Sequence, residues 1–424
     1  MGLNLFPCLL LCAAVLTVSG ALGPVGNYWT SQSLPVLLDT HTQLLNAPLF
    51  RGQEVDEEHV GGSKTLCGIE CQSVRPPMDQ GEQERVLGYE TMYENGTRTH
   101  TDVSLQDLNR TSAGTPGHSP ARARRKRQVY GEDGRFVISD SHFITNYPFS
   151  TAVRVSAGCS GVLISPKHVL TAAHCIHDGS DYLEGARKVR VGVLQLKSKR
   201  RRGGRKVKRR RGRKENHGAG AQLEGEGKQV RLNRVGRSAE AKREPVFRWS
   251  RVKQIRIPQG WIQTKGSNSA VSPEYDYTVL ELKRPIRQKY MELGVAPPVA
   301  DLARIHFSGY DSDKSLQEGG GKEKVVYRFC SVVNESDDLL YQHCDAQPGA
   351  TGAGIYIRRR REAGDAGRKG KWQRRVIGVF SGHQWVEMEG GGQRDFNIAV
   401  RITPLKYAQI CHWIHGDPSL CKEV

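Results

Sequence analysis

GCSGVLISPKHVLTAAHC, residues 158–175, is the stretch from which the fold can be read. Gly161-Val162-Leu163-Ile164 and His168-Val169-Leu170-Thr171-Ala172 are short apolar runs, and Ser165-Pro166-Lys167 between them supplies turn residues, so the segment reads as a β-hairpin. Outward from it the same texture repeats. Thr151-Ala152-Val153-Arg154-Val155 alternates, and Tyr277-Thr278-Val279-Leu280-Glu281-Leu282 and Val376-Ile377-Gly378-Val379-Phe380 are further strand-like runs. One strong helix comes last: Thr403 is an N-cap with Pro404 at N1, and Tyr407, Ile410, Cys411 and Ile414 fall on one face. Short strands, turns and a terminal helix predict an all-β fold of barrels closed by a C-terminal α-helix.

The chain begins with the apolar run LNLFPCLLLCAAVLTV followed by Ser19, Gly20 and Ala21, the pattern of a signal peptide over residues 1–20. No later stretch reaches the roughly 18 apolar residues that a membrane span requires. Secretion is therefore the expected route, and with it three N-x-[ST] sequons, at Asn95, Asn109 and Asn334, become glycan sites. Of ten cysteines, Cys8 and Cys12 leave with the signal. Adjacency pairs the other eight as Cys67–Cys71, Cys159–Cys175, Cys330–Cys344 and Cys411–Cys421, although spacing alone leaves other connectivities open. None of these spacings is that of a zinc site, and no motif indicates a metal or an organic cofactor.

Arg124-Arg125-Lys126-Arg127 has the composition a proprotein convertase cuts. Residues 21–127 upstream of it are polar and turn-rich, with a tail, TSAGTPGHSPARA, biased towards linker residues, and read as a propeptide cleaved after Arg127. Residues 128–424 then form the main domain. It carries a second basic block, KSKRRRGGRKVKRRRGRK at 197–214, with thirteen Lys or Arg and no acid. The formal charge of the whole chain is +19, so one insertion accounts for most of it. Repulsion at this density, with nothing to bury, predicts disorder from 197 to about 245. In a cytosolic chain such a block points to nucleic acid; in a secreted one it points to glycosaminoglycans or other anionic surfaces, by an attraction that salt weakens, or to a solvated loop without a partner.

These residues carry a resemblance. GCSGVLISPKHVLTAAHC resembles the histidine loop of the chymotrypsin-like serine proteases, and the rest follows in that family's order. Asp276 precedes an apolar strand, Gly349-Ala350-Thr351-Gly352 has the outline of the nucleophile loop, and Ser381-Gly382 ends a strand that looks like the one pairing with substrate backbone. ENGTRT, RRKRQVYG, SGHQWV and RITPLKYAQIC narrow the likeness to a secreted branch in which the serine position is held by threonine. The resemblance implies two β-barrels with a cleft between them, a degenerate triad of His174, Asp276 and Thr351, an oxyanion hole from the backbone of Gly349 and Thr351, and a homologue without peptidase activity. It also implies departures. Where zymogens of this family form an ion pair between a new Ile or Val terminus and an Asp before the serine, this chain offers Gln128 and Ala350. Asp345 lies six residues before Thr351, where a trypsin-like pocket holds its acid, but Cys344 is displaced too, so Asp345 is read as a surface residue.

Physical chemistry gives the threonine its meaning. In a Ser-His-Asp triad the imidazole takes the hydroxyl proton, the carboxylate fixes its tautomer and backbone amides receive the oxyanion. Thr351 keeps the hydroxyl, yet its methyl restricts χ1 and crowds the attacking oxygen. Displacement by about 1 Å costs on the order of a hundredfold in rate. Threonine nucleophiles commonly use their own terminal amine as base, which an internal Thr351 lacks. Binding without turnover is the expectation, with weak or highly specific endopeptidase activity and polyanion binding in the matrix as alternatives.

Overall fold

The computed structural model describes residues 28–29, 31–45, 78–106, 133–196, 245–262, 273–298 and, with short gaps, 302–424. Residues 1–20, Cys67, Cys71, Asn109, Arg127 and the block 197–214 lie outside the described residues.

The quoted stretch folds as read: strands Ser160–Leu163 and His168–Thr171 pair antiparallel, with Val162 opposite Leu170. Both are buried throughout, because each strand has the barrel core on one side and packed neighbours on the other. Around them, Ala152–Val155, Arg190–Leu196, Pro245–Pro258 and Thr278–Leu282 complete a ring, since Pro245–Pro258 pairs with Arg190–Leu196 along its first half and with Thr278–Leu282 along its second. A closed six-stranded barrel results. Val153, Leu163, Val169, Leu170, Val191, Leu280 and Leu282, all essentially inaccessible, fill it.

Residues from 305 onward, joined at one edge by Phe136–Ile138, build the main run of the second sheet, in the order Val332–Glu335, Leu339–Gln342, Gly392–Arg401, Trp372–Met388, Gly354–Arg361, Ile305–Gly309, Val325–Cys330 and Phe136–Ile138. Its core is Ile305, Phe307, Leu340, Ile355, Ile377, Phe380 and Ala399. The helix Pro404–His415 follows, capped by Thr403 and ended by Gly416 in the left-handed region at φ 67°. This is the all-β, chymotrypsin-like two-barrel fold with a C-terminal helix that the sequence predicted.

Of the eight cysteines beyond the leader, six form the bridges Cys159–Cys175, Cys330–Cys344 and Cys411–Cys421. Asn95 is exposed in a turn between two strands, where its side chain accepts the Thr97 N–H at 3.0 Å, and Asn334 is half-buried in Val332–Glu335.

One region differs from its reading. The upstream stretch contains a helix, Gln80–Leu87, and three strands, Val36–Leu45, Tyr89–Tyr93 and Arg98–Gln106, that join the sheet of the first barrel. Its polar composition hid a period-two pattern: Thr101, Val103 and Leu105 turn inward from a strand whose other residues are polar.

Candidate active site

The site lies where the barrels meet. His174 sits in a 3-10 turn, Ala173–Cys175, directly after the second hairpin strand, with Cys175 tied to Cys159 across the hairpin. Asp276 follows the turn Pro273–Tyr275 and is almost fully buried. Its carboxylate accepts the His174 backbone N–H at 2.9 Å through Oδ1, and its Oδ2 lies 2.7 Å from His174 Nδ1. A carboxylate can only accept, so Nδ1 carries the proton and Nε2 is left with the lone pair of a base. The Ser381 hydroxyl donates to the same Oδ2.

These contacts set the charges. Burial pushes the Asp276 pKa upward, but the facing imidazole, its hydrogen bonds and the Ser381 hydroxyl outweigh that and hold it below the usual carboxylate range. Burial likewise pulls His174 down, and Asp276 more than reverses it, raising the imidazole. The first barrel thus presents a polarised, oriented base, half-exposed towards the cleft.

Thr351 comes from the second barrel on the turn before Gly354–Arg361. Gly349 and Gly352 flank it with φ of 98° and 83°, which L side chains rarely adopt. A Cβ on Gly349 would strike the Tyr310 carbonyl oxygen, and one on Gly352 would strike Thr171 Oγ1 and Ser160 O. Glycine is demanded at both positions by packing as well as by backbone. Ser160 ties the loop to the first barrel: its N–H donates to Thr351 O at 2.7 Å and its hydroxyl donates to Gly349 O at 2.6 Å while accepting the Tyr310 N–H at 2.9 Å. From the other side Gly352 N–H donates to Phe380 O at 2.7 Å. Among the described residues, neither the Gly349 nor the Thr351 N–H has an intramolecular acceptor, as an oxyanion hole requires.

Ala350, at the position of the missing activation carboxylate, is fully buried. A buried carboxylate that sequence reasoning did not identify, Asp311, bonds to the segment just before Thr351. Asp311 has no accessible surface; it pairs with the buried Arg328 guanidinium, accepts from Arg135 Nη1 at 3.1 Å and accepts the Gln347 N–H, four residues before Thr351, at 3.2 Å. The adjacent Ser312 N–H donates to Pro348 O at 2.8 Å. Burial depresses the Arg135 pKa, but hydrogen bonds to Asp133, Asp313 and Asp311 overcome that and raise it. Asp345 is half-buried and accepts the Gly134 N–H at 2.7 Å, so it holds the segment that follows the basic run Arg124-Arg125-Lys126-Arg127. No cluster of His, Cys, Asp and Glu suited to a metal occurs among the described residues.

Fold and site together define a trypsin-like serine protease homologue. A profile of the trypsin family matches residues 137–246. Inactive serine protease 35 of mouse (Mus musculus) is 47% identical over 402 residues, covering 93% of this chain and 92% of that one. The human (Homo sapiens) protein of that name is also 47% identical, over 93% and 92% of the two chains. Human serine protease 23 is 44% identical over 424 residues, with 99% and 98% covered. Among solved structures, a Glu endopeptidase in complex with MPD aligns with a TM-score of 0.41 and 18% identity, covering 67% of this chain and 98% of that one. The chain belongs to the family that comprises inactive serine protease 35 and serine protease 23.

Proposed function

We propose that this protein is a secreted pseudoprotease that acts by binding extracellular partners rather than by cleaving them. The observation that carries the reading is the combination of an intact His174–Asp276–Ser381 network with threonine at the nucleophile position. A hydroxyl remains, but the β-methyl narrows its rotamers beside His174, and the reaction tolerates little displacement. The names of the relatives called inactive agree with this; the serine protease 23 relatives keep endopeptidase activity at Thr351 as the alternative. Secretion rests on the leader and on the disulfides, which persist in oxidising compartments. A convertase acting after Arg127 would be the processing enzyme.

Labelling with a fluorophosphonate tests the reading. The native protein should not react, Thr351→Ser should react, and Thr351→Ser/His174→Ala should fall silent. Labelling of the native protein at Thr351 would replace the binding reading with an enzyme.

A second observation favours an anionic partner. A cleft of about 570 Å³ opens on the strands that flank the 197–214 block, lined by Arg248, Trp249, Arg251, Arg284 and Arg287 among others. Those five side chains are exposed, and Trp249 lies against Gly192, where a Cβ would come within 3.1 Å of its ring. Cations around a fixed indole face suit a sulfated glycan, whose sulfates pair with guanidinium groups while a sugar ring stacks on the aromatic surface. Deleting residues 197–214 should lower the salt needed to elute the protein from heparin. Arg248→Ala/Arg284→Ala/Arg287→Ala in that background should abolish retention, and unchanged elution of both variants would remove the reading.

A further inference from the structure

The upstream segment is bonded to both barrels. Residues 254–256 of the long strand Pro245–Pro258 are paired on both edges, with Thr278–Leu282 on one and Tyr89–Tyr93 on the other. The strand Arg190–Leu196 covers only the stretch up to Arg251, so Tyr89–Tyr93 takes over the edge where it stops, with Ile255 opposite Met92 and Pro258 opposite Tyr89. Without the upstream strand, that row of backbone groups would form an open edge over buried Ile255 and Ile257.

Side chains reinforce the pairing. Leu37, Val86, Leu87, Tyr89, Met92, Val103 and Leu105 belong to one continuous core with Val191, Ile255, Val279 and Trp413. Arg98 bridges Glu90, 2.8 Å away, and Asp181 of the first barrel, 3.4 Å away; Glu94 pairs with Lys283 at 2.9 Å, and Arg187 donates to Asn95 O at 3.0 Å. The C-terminal helix is held too. His412 meets Asp39 at 2.9 Å, and the fully buried Gln409 donates to Leu87 O while accepting the Tyr277 hydroxyl, next to Asp276. Farther upstream, Tyr28–Trp29 pairs parallel with Arg360 and Arg361 of the second sheet, where Trp29 joins the core.

From this we infer that residues 28–106 are a permanent subunit of the folded domain and not a released propeptide: cleavage between 107 and 132 leaves two chains associated as one particle. The association is non-covalent, because the three bridges among the described residues pair all six cysteines of residues 128–424 with one another and leave none to hold the upstream chain. A segment that completes a sheet edge, shares the main core and supplies the carbonyl that satisfies buried Gln409 cannot leave without exposing all three. The inference rests on this packing and is independent of whether Thr351 is catalytic.

A site-specific protease sequence placed between residues 112 and 127 of the full-length protein allows cleavage to completion without reliance on a convertase. Gel filtration at micromolar concentration should then give a single peak at the position of the uncut protein. Non-reducing SDS electrophoresis of that peak should resolve two chains. Elution of the upstream piece at its own smaller size would overturn the inference, and a single non-reduced band that separates only on reduction would overturn its non-covalent part. Met92→Glu, made only in the cleavable chain and compared before and after the cut, should weaken the association at least tenfold after cleavage; equal co-elution of both cut proteins would place the holding contacts elsewhere.

Discussion

The two barrels meet at one site in different states of completeness. The first delivers a finished part: an imidazole oriented by a buried carboxylate that a hydroxyl from the second barrel also satisfies. The second delivers a loop with a constrained backbone and a threonine at its centre, its glycines in left-handed conformations and its carbonyls held by Ser160. The contrast separates shape from reaction. Backbone geometry at the nucleophile turn is enforced by steric contacts and by hydrogen bonds to both barrels, none of which involves the Thr351 side chain. On the proposed reading, one methyl silences the chemistry and leaves the cleft for binding.

The comparison is sharpest at Asp311, which builds the second barrel's contribution much as Asp276 builds the first's. Asp311→Asn leaves buried Arg328 without its counter-charge and should destabilise the protein by about 3–5 kcal/mol, measurable by denaturant unfolding. Made together with Thr351→Ser, it should also suppress fluorophosphonate labelling; equal labelling of Thr351→Ser with and without it would mean that the turn holds its shape without the carboxylate.

Acid should act more gently, on His306 of the second barrel, whose pKa burial lowers from 6.5 to about 4, as well as on two histidines of the first. Burial lowers the pKa of His168 and His177 from 6.5 to about 4. Both are neutral in folded and unfolded chains above pH 6.5, so nothing is lost there. Between pH 6.5 and about 4 the unfolded chain takes up protons that the folded one refuses, and stability falls as the pH drops. Each histidine should cost about 2 kcal/mol between pH 7 and pH 5. Unfolding midpoints at the two pH values check this, and His177→Gln should flatten the slope; a slope unchanged by that substitution would assign the acid sensitivity to other groups.

Much of the site was legible because its parts are local. His174 ends a hairpin whose two runs, turn and cysteines lie within residues 158–175, and Gly349 and Gly352 mark a turn by their chemistry alone. Ser160, Asp311, Arg328 and Arg135 were not legible, since a lone serine or a surface-looking arginine gains its role only from a partner distant in sequence. Ser160 and Gly349 are 189 residues apart, and Arg135 and Asp311 are 176 apart. The upstream strands were missed for a related reason: their inward residues are few and separated by threonines, histidine and charge, so composition spoke for a polar, turn-rich stretch while alternation spoke for strand.

By itself, then, the sequence determined the β-hairpin, the terminal helix, the histidine that ends the hairpin, and a threonine between the two glycines of the second barrel's turn, because each is written in residues close together or in the identity of one side chain. Only the tertiary structure decided that the Asp311 carboxylate pairs with buried Arg328 and accepts the Gln347 N–H of the loop that leads to Thr351. It also decided that the segment before the basic run Arg124-Arg125-Lys126-Arg127 completes the first barrel's sheet. Both depend on which distant strands come to lie side by side, and that is settled by the burial of a shared core that no local pattern specifies.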